Sequence, residues 1–322
     1  MKKYLNYCNF VKKVLVKNYK VKSQNSLKPM VSVVMPSYNH ANFISDAINS
    51  VLSQTYTNWE LIIVDNFSVD GTMDLVNRLK DPRIRFLQIR NEGIVAKSRN
   101  LGINTAKGLW IAFLDSDDIW FPNKLKIISD QLNDLNDLLY HHMFVLDKDS
   151  QEIRSKKIKS RKLHGPILKD LLLKGNTIAT SSVVVRKQSI LQVGGMSESQ
   201  ELIGTEDYNT WLRIANISNR FVLIPQYLGA YRSHALNLSK QTVFKPPIYA
   251  VNDFLPFLTD HERFLININH SYTTIRMKFM EGNYQGLKPE LYKLIKRSTY
   301  SYKIKCVYML LAIFFEPKKS KC

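Results

Sequence analysis

The chain has 322 residues, 45% of them hydrophobic and 23% charged, so it can bury a sizeable core and its bulk is not a disordered polymer. Its formal net charge is +19, but the excess is concentrated. Residues 1–29 carry eight lysines, residues 152–169 seven Lys/Arg and residues 287–322 nine, against Glu152, Glu290 and Glu316. The remainder is nearly neutral, which excludes a general nucleic-acid groove over the folded core and assigns the basic charge to appendages.

The basic tail ends at Lys28-Pro29. Its first residues have the positive start of a signal peptide, but Lys12, Lys13 and Lys17 interrupt every apolar run, so no leader is expected. From residue 30 the pattern changes. Met30–Met35 is a β-branched run, and Phe43, Ile44, Ala47, Ile48, Val51 and Leu52 follow at helical spacing. Leu61–Val64 and Ile84–Ile89 predict two further strands with a short helix over 70–80 between them. A helix over 93–106 precedes a fourth apolar strand at Leu109–Leu114. Leu125, Ile128, Leu132, Leu135 and Leu139 recur at three and four, predicting an amphipathic helix. Farther on, strands are expected near 140–147, 177–186 and 220–233, and helices near 166–174 and 206–217. From 241 onward the chain reads as helical and aromatic, with a break at Lys245-Pro246-Pro247.

Strict alternation of strand and helix implies βαβ units, hence an α/β, Rossmann-like and mostly parallel sheet flanked by helices. Continuous apolar strands mean that both faces of the sheet are covered. Ligands bind such sheets at the carboxyl ends of the strands. Those ends read Pro36-Ser37-Tyr38-Asn39, Asp65-Asn66 and Asp115-Ser116-Asp117-Asp118.

The last segment places three carboxylates within four residues, which repel unless a cation or hydrogen-bond donors compensate. Such oxygen ligands suit Mg²⁺ or Mn²⁺; the plainer reading is a solvated loop capping the next helix. The D-x-D spacing recurs at Asp147-Lys148-Asp149, so spacing alone decides nothing. Asp65 closes an apolar strand facing the ligand crevice, where a carboxylate can accept the imide N–H of a pyrimidine, while Ser68, Asp70 and Gly71 read as a turn with a helix cap. Arg99 is either a surface arginine or, if its helix borders the crevice, a phosphate partner. Gly102 and Gly108 suggest close packing on the sheet. Glu206-Asp207 opens an amphipathic helix, either as an acidic first turn suited to the helix dipole or as a general base. His234 could contact a diphosphate, bind a metal or sit on the surface, and His141-His142 reads as structural.

Taken together, Val31–Thr72, Asp81–Leu125, Gly204–Ala215 and Leu228–His234 resemble glycosyltransferase family 2 in order and separation. The resemblance covers residues 30–240 and implies a GT-A fold, with a nucleotide-sugar half at 30–120 and an acceptor half at 121–240. It implies that Pro36, Tyr38 and Asn39 lie by the base and ribose, that Asp65 binds the base and that Arg99 lies near the phosphates. Asp115 and Asp117 would form the D-x-D pair with a divalent Mn²⁺ or Mg²⁺, Asp117 being the direct ligand, and Asp207, beside Glu206, would be the catalytic base. The implied function is inverting transfer of a sugar from a nucleotide-sugar donor to a hydroxyl of a glycan or lipid-linked acceptor, in bacterial surface-polysaccharide synthesis. Asn66 stands where the family often has a second aspartate, which leaves Asp65 intact but weakens the base assignment: UDP is the favoured nucleotide, and dTDP or GDP stay open. A non-catalytic nucleotide-sugar-binding protein on the same fold is the alternative.

The basic helical extension over 241–322 and the basic tail over 1–29 lie outside the resemblance. They are expected either to attach to an anionic membrane face or to pack on the catalytic domain or a second subunit. Cys306–Phe315 is ten apolar or aromatic residues, about half a membrane span. With Cys8, Cys306 and Cys322 far apart and no CxxC, neither a zinc ribbon nor a disulfide framework is indicated. The expected location is cytoplasmic, peripheral on the inner face of the membrane, with no nucleic-acid partner.

Overall fold

The computed structural model describes residues 30–147, 153–234, 237, 247–280 and 282–315. Four apolar runs, β1 (Val31–Ser37), β2 (Trp59–Asp65), β3 (Ile84–Gln88) and β4 (Trp110–Phe113), pair in parallel in the order β3-β2-β1-β4. They are joined by α1 (Ile44–Leu52), α2 (Thr72–Asn77) and α3 (Val95–Thr105). Successive side chains of a strand face opposite ways, so each strand feeds both cores. Val33, Met35, Leu61, Ile63 and Ala112 pack with Ile44, Ala47 and Ile48 on one face. Val34, Ile62, Ile111 and Phe113 pack with Ile103 and Trp211 on the other.

The two glycines flagged by sequence sit where contact is closest. A Cβ on Gly102 would lie 2.5 Å from Val34 Cγ1, and one on Gly108 would lie 2.7 Å from the Ser32 backbone nitrogen. Either would push α3 and its exit turn off the sheet.

Beyond β4 the sheet becomes mixed. Strands β5 (Ile119–Trp120), β6 (Leu138–Asp147), β7 (Ile153–Ile158), β8 (Val184–Arg186) and β9 (Phe221–Ser233) complete a nine-stranded sheet. Its order is β3-β2-β1-β4-β8-β6-β9-β5, with β7 pairing β6. Only β6–β9 is parallel here; β4–β8, β6–β8, β5–β9 and β6–β7 are antiparallel. Helices α4 (Lys124–Ser129), α5 (Ile167–Lys174), α6 (Lys187–Gln192) and α7 (Glu206–Ile217) accompany this half.

Two expectations need correcting. The helix expected from Leu125 to Leu139 stops at Ser129; Leu135 is exposed and Leu139 belongs to β6. Asn133 Oδ1 accepts the Leu135 N–H and Asn136 Nδ2 donates to the Gln131 carbonyl, local bonds that compete with the helix ladder. The strand expected over 177–186 is a 3₁₀ turn at Thr180–Ser182 followed by the short β8.

The extension is helical, as expected: a 3₁₀ segment Pro247–Phe257, then α8 (Asp260–Met280), α9 (Leu287–Arg297) and α10 (Tyr300–Phe315). Ala250, Val251, Phe254 and Ile266 join the core beneath α7, and Asn269 Nδ2 donates to the Leu173 carbonyl at 3.0 Å. Ile268, Ile275, Leu287, Leu291, Leu294, Cys306 and Met309 form a small core of their own. The extension therefore packs on the sheet-containing unit through its first helices, while Tyr300, Ile304, Val307, Tyr308 and Leu311 stand exposed on α10. Among the described residues no helix is long and apolar enough to cross a membrane. The tail over 1–29, Lys245-Pro246 and Lys148-Asp149 lie outside the described residues.

Candidate active site

The carboxyl edge of β1 and β2 is a cross-linked pair of loops. Asp65 is fully buried, and its two oxygens accept the Ser68 backbone N–H at 2.8 Å and the Ser68 hydroxyl at 2.5 Å. Ser68 Oγ in turn accepts the Asn39 N–H at 2.8 Å, and Asn39 Oδ1 accepts the Val69 N–H at 3.0 Å. Asp65 thus shapes the loop that borders the crevice, and direct contact with a base would require that loop to open. Pro36 is buried within β1, Asn39 is half-buried, and Tyr38 and Phe67 stand exposed at the ends of adjacent strands. The departure at Asn66 is accommodated by its Oδ1, which accepts the Asn91 N–H at 2.9 Å.

Arg99, on α3, bridges the loop after β4 and the start of α7. Its Nη2 donates to Asp115 Oδ1 at 2.8 Å and its Nη1 to Glu206 Oε1 at 2.6 Å, and the side chain is 6% exposed. Burial opposes the charge, but Asp115 and Glu206 outweigh it and hold the guanidinium above its ordinary value. Glu206 Oε2 accepts the Gly204 N–H at 2.7 Å, so both of its oxygens are engaged. Glu206 is buried, whereas the neighbouring Asp207 is partly exposed.

Asp207 is held by the 3₁₀ turn. Its Oδ2 accepts from Thr180 Oγ1 at 2.7 Å, and its Oδ1 faces the Tyr208 N–H at 2.6 Å. Burial and the neighbouring Glu206 charge raise its pKa to about 6, against the donors Thr180 and Tyr208 and the charge of Arg99. The next residue, Ser181, reaches the other half: its Oγ accepts the Asp115 N–H at 3.1 Å, and its carbonyl accepts from Trp120 Nε1 and Lys124 Nζ. One turn of chain therefore fixes both the D-x-D loop and the carboxylate at the start of α7.

Asp117 occupies a buried polar cluster. His234 Nε2 lies 2.8 Å from its Oδ2, and Asn237 Nδ2 donates to the same oxygen at 3.1 Å. Arg232, leaving β9, donates its N–H to Asp118 Oδ1, its Nε to the Asp117 carbonyl and its Nη2 to Asp46. Burial, then Asp117 and Asp115, push Asp118 well above the usual carboxylate range. His40 Nδ1 lies 2.7 Å from Ser116 Oγ. Among the described residues, His40, Asp117 and His234 each bring one ligand atom to within 4.8 Å of the other two. Asp115 is bound to Arg99 instead. His141 is wholly buried and its pKa is pushed well below the usual value by burial, consistent with a structural role.

The structure thus draws together Asp115, Asp117, Arg99, Glu206 and Asp207, with Asp65 and Asn39 in the adjoining loop. Sequence reasoning missed His40, Thr180, Ser181, Arg232 and Asn237. His40 had a usable signal, since a histidine directly after the turn that ends β1 lies on the ligand edge. Thr180 and Ser181 had none, because their importance depends on the antiparallel insertion of β8 beside β4.

Residues 32–194 match the family model described as Glycosyl transferase family 2. The chain belongs to glycosyltransferase family 2. Within that family it is 37% identical over 191 residues to UDP-Glc:alpha-D-GlcNAc-diphosphoundecaprenol beta-1,3-glucosyltransferase WfgD of Escherichia coli, covering 59% of this chain and 71% of WfgD. It is 44% identical over 101 residues to TuaG of Bacillus subtilis (strain 168), a glycosyltransferase assigned to teichuronic acid biosynthesis, but spans only 40% of that protein. The fold matches that of S. aureus TarS 1–349 in complex with UDP-GlcNAc, with a TM-score of 0.59 at 17% identity over 85% of this chain and 83% of that one. The mannosyltransferase PcManGT of Pyrobaculum calidifontis, in complex with GDP-Man and Mn²⁺, gives 0.52 at 15% identity over 97% of this chain and 88% of that one. The GT-A fold expected from the sequence is the fold found.

Proposed function

We propose that this family 2 glycosyltransferase transfers a sugar, with inversion, from a UDP-sugar to a hydroxyl of a lipid-linked or glycan acceptor, and that it requires a divalent metal. The observation that carries the reading is the Thr180-Ser181 turn, which ties Asp207 and the Asp115 loop into one rigid unit. A base and a diphosphate site must be held in register for in-line displacement, and this turn holds them.

In this reading Asp207 accepts the acceptor proton as that oxygen attacks the anomeric carbon, and the nucleoside diphosphate departs on the opposite side. A carboxylate with a pKa of about 6 is largely ionised near neutrality and is a better proton acceptor than an ordinary aspartate. Arg99 acts from behind: it pairs with Asp115 and Glu206, and its charge, with the donors Thr180 and Tyr208, favours the ionised form of Asp207. Tyr38 and Phe67, exposed at neighbouring strand ends, offer apolar surface for a nucleotide base, with Asn39 supplying polar contacts.

Two imidazoles and a carboxylate within 4.8 Å of one another, Asp117 and His234 buried and His40 half-buried, suit a divalent ion. Asp117 and His234 would hold it, and when bound it would offset charge developing on the departing diphosphate. Asn237 and Arg232 keep those ligands in place.

The donor assignment is supported by the names of WfgD and of the TarS complex, which specify UDP-sugars. The lipid-linked acceptor is supported by the diphosphoundecaprenol in the name of WfgD. An acceptor buried in lipid calls for attachment to a membrane, and α10 offers the means. Tyr300, Ile304, Val307, Tyr308 and Leu311 lie exposed along it, with Lys303 and Lys305 on the same helix and Lys293, Lys296 and Arg297 on α9. Apolar residues flanked by lysines fit an anionic bilayer surface. Transfer of radiolabelled sugar from UDP-glucose and UDP-GlcNAc to an undecaprenyl-diphosphate sugar tests the reading. Transfer abolished in D207N supports it, and equal transfer by D207N rejects it in favour of another base.

A further inference from the structure

We infer that His40, from the loop after β1, is a third protein ligand of the metal site and that the resulting pair of imidazoles selects Mn²⁺ over Mg²⁺. The inference rests on the metal-dependent reading above but extends to a residue outside the D-x-D segment and outside the β9 terminus.

His40 lies 76 residues from Ser116 in sequence, yet its Nδ1 is 2.7 Å from that hydroxyl, inside the D-x-D segment. Its ring meets that of His234 edge-on with centroids 6.0 Å apart, and Phe43 stacks on His234 at 4.7 Å. The backbone is pinned as well: the His40 N–H donates to Thr72 Oγ1 at 3.1 Å, and the preceding Asn39 adopts a left-handed φ of 52°. A ring needed only to brace the loop could meet Ser116 from many positions. This one also brings a nitrogen into the same small volume as Asp117 and His234. Six-coordinate first-row ions set their ligands at about 2.0–2.2 Å from the metal, hence within roughly 4.4 Å of one another across the ion, so a spread of 4.8 Å needs only small shifts.

The donor set decides the ion. Mg²⁺ dehydrates reluctantly and takes oxygen ligands, whereas imidazole nitrogen suits the later divalent metals. A site with one aspartate would serve either. A site with one aspartate and two histidines disfavours Mg²⁺. Because His40 shares its loop with Tyr38 and Asn39, the metal would also hold the expected nucleotide-contacting segment against the D-x-D loop.

The test is electron–nuclear double resonance on ¹⁵N-histidine-labelled full-length protein loaded with Mn²⁺, with and without UDP. Two directly coordinated nitrogens are expected in the wild type, one in H40A and one in H234A. Competition should need a large excess of Mg²⁺ to displace Mn²⁺ from the wild type, with that excess falling about tenfold in H40A, the size expected when one good contact is lost. A single coupling in the wild type that survives H40A unchanged would overturn the role of His40 while leaving the metal reading intact. No bound Mn²⁺ in either condition would overturn both. The wild-type count stands even if H40A folds poorly, and H40Q provides a second variant without an imidazole.

Discussion

Arg99 donates to Glu206 at 2.6 Å across 107 residues of sequence, both side chains 6% exposed, and this buried pair joins α3 to α7. Removing one partner of a buried pair strands the other, a loss of about 3–5 kcal/mol. Glu206→Ala is therefore expected to lower the melting temperature markedly, with Glu206→Gln milder because its amide oxygen still accepts. Asp207→Asn should leave stability nearly unchanged and lower kcat by about two to four orders of magnitude. Thermal melts beside initial rates separate the structural carboxylate from the chemical one; equal melting losses for both would erase the distinction.

The pH dependence of transfer follows from Asp207, whose pKa is raised to about 6. A base must be ionised, so kcat/KM should climb about tenfold per pH unit below that value and level off above it. Thr180 donates to the carboxylate and favours its charged form. Thr180→Val removes the donor and should move the acid limb to higher pH, whereas Thr180→Ser should restore it. A purely structural role would lower the plateau without moving the limb.

Membrane attachment can be checked on α10 alone. Each basic residue near an anionic surface contributes about 1 kcal/mol. Lys303→Gln with Lys305→Gln should therefore weaken binding to anionic vesicles roughly thirtyfold at low salt. Tyr308→Glu with Leu311→Glu should abolish it without affecting soluble donor turnover. Sedimentation with phosphatidylglycerol vesicles reads both, and unchanged binding by the glutamate pair would remove α10 from the account.

Much of this was legible in the sequence for a physical reason. The parallel part of the sheet, β3-β2-β1-β4, is built from local βαβ units, whose strands announce themselves as continuous apolar runs and whose ends carry Asp65 and Asp115–Asp117. Glu206-Asp207 was legible as a pair, but not the division between them, because Arg99 reaches Glu206 only when α3 and α7 are brought together by the sheet. His40 carried only the signal of its place on the ligand edge, because the groups it meets, Ser116 and His234, come from the ends of β4 and β9. Over Leu132–Leu139 the helical spacing of the leucines yields to a local cause: Asn133 accepts the Leu135 N–H and Asn136 donates to the Gln131 carbonyl, in place of the helix ladder.

The central claim is that Asp117 and Asp207 serve one reaction from opposite sides of the Thr180-Ser181 turn. It is tested most directly by nucleoside diphosphate release from UDP-sugars with an acceptor lipid, in Mn²⁺ and in EDTA, for the wild type, Asp117→Ala and Asp207→Asn. Mn²⁺-dependent release is expected from the wild type alone, with Asp207→Asn still binding UDP and Mn²⁺ while Asp117→Ala loses the metal. Wild-type release by either variant, or release undiminished by EDTA, would contradict it.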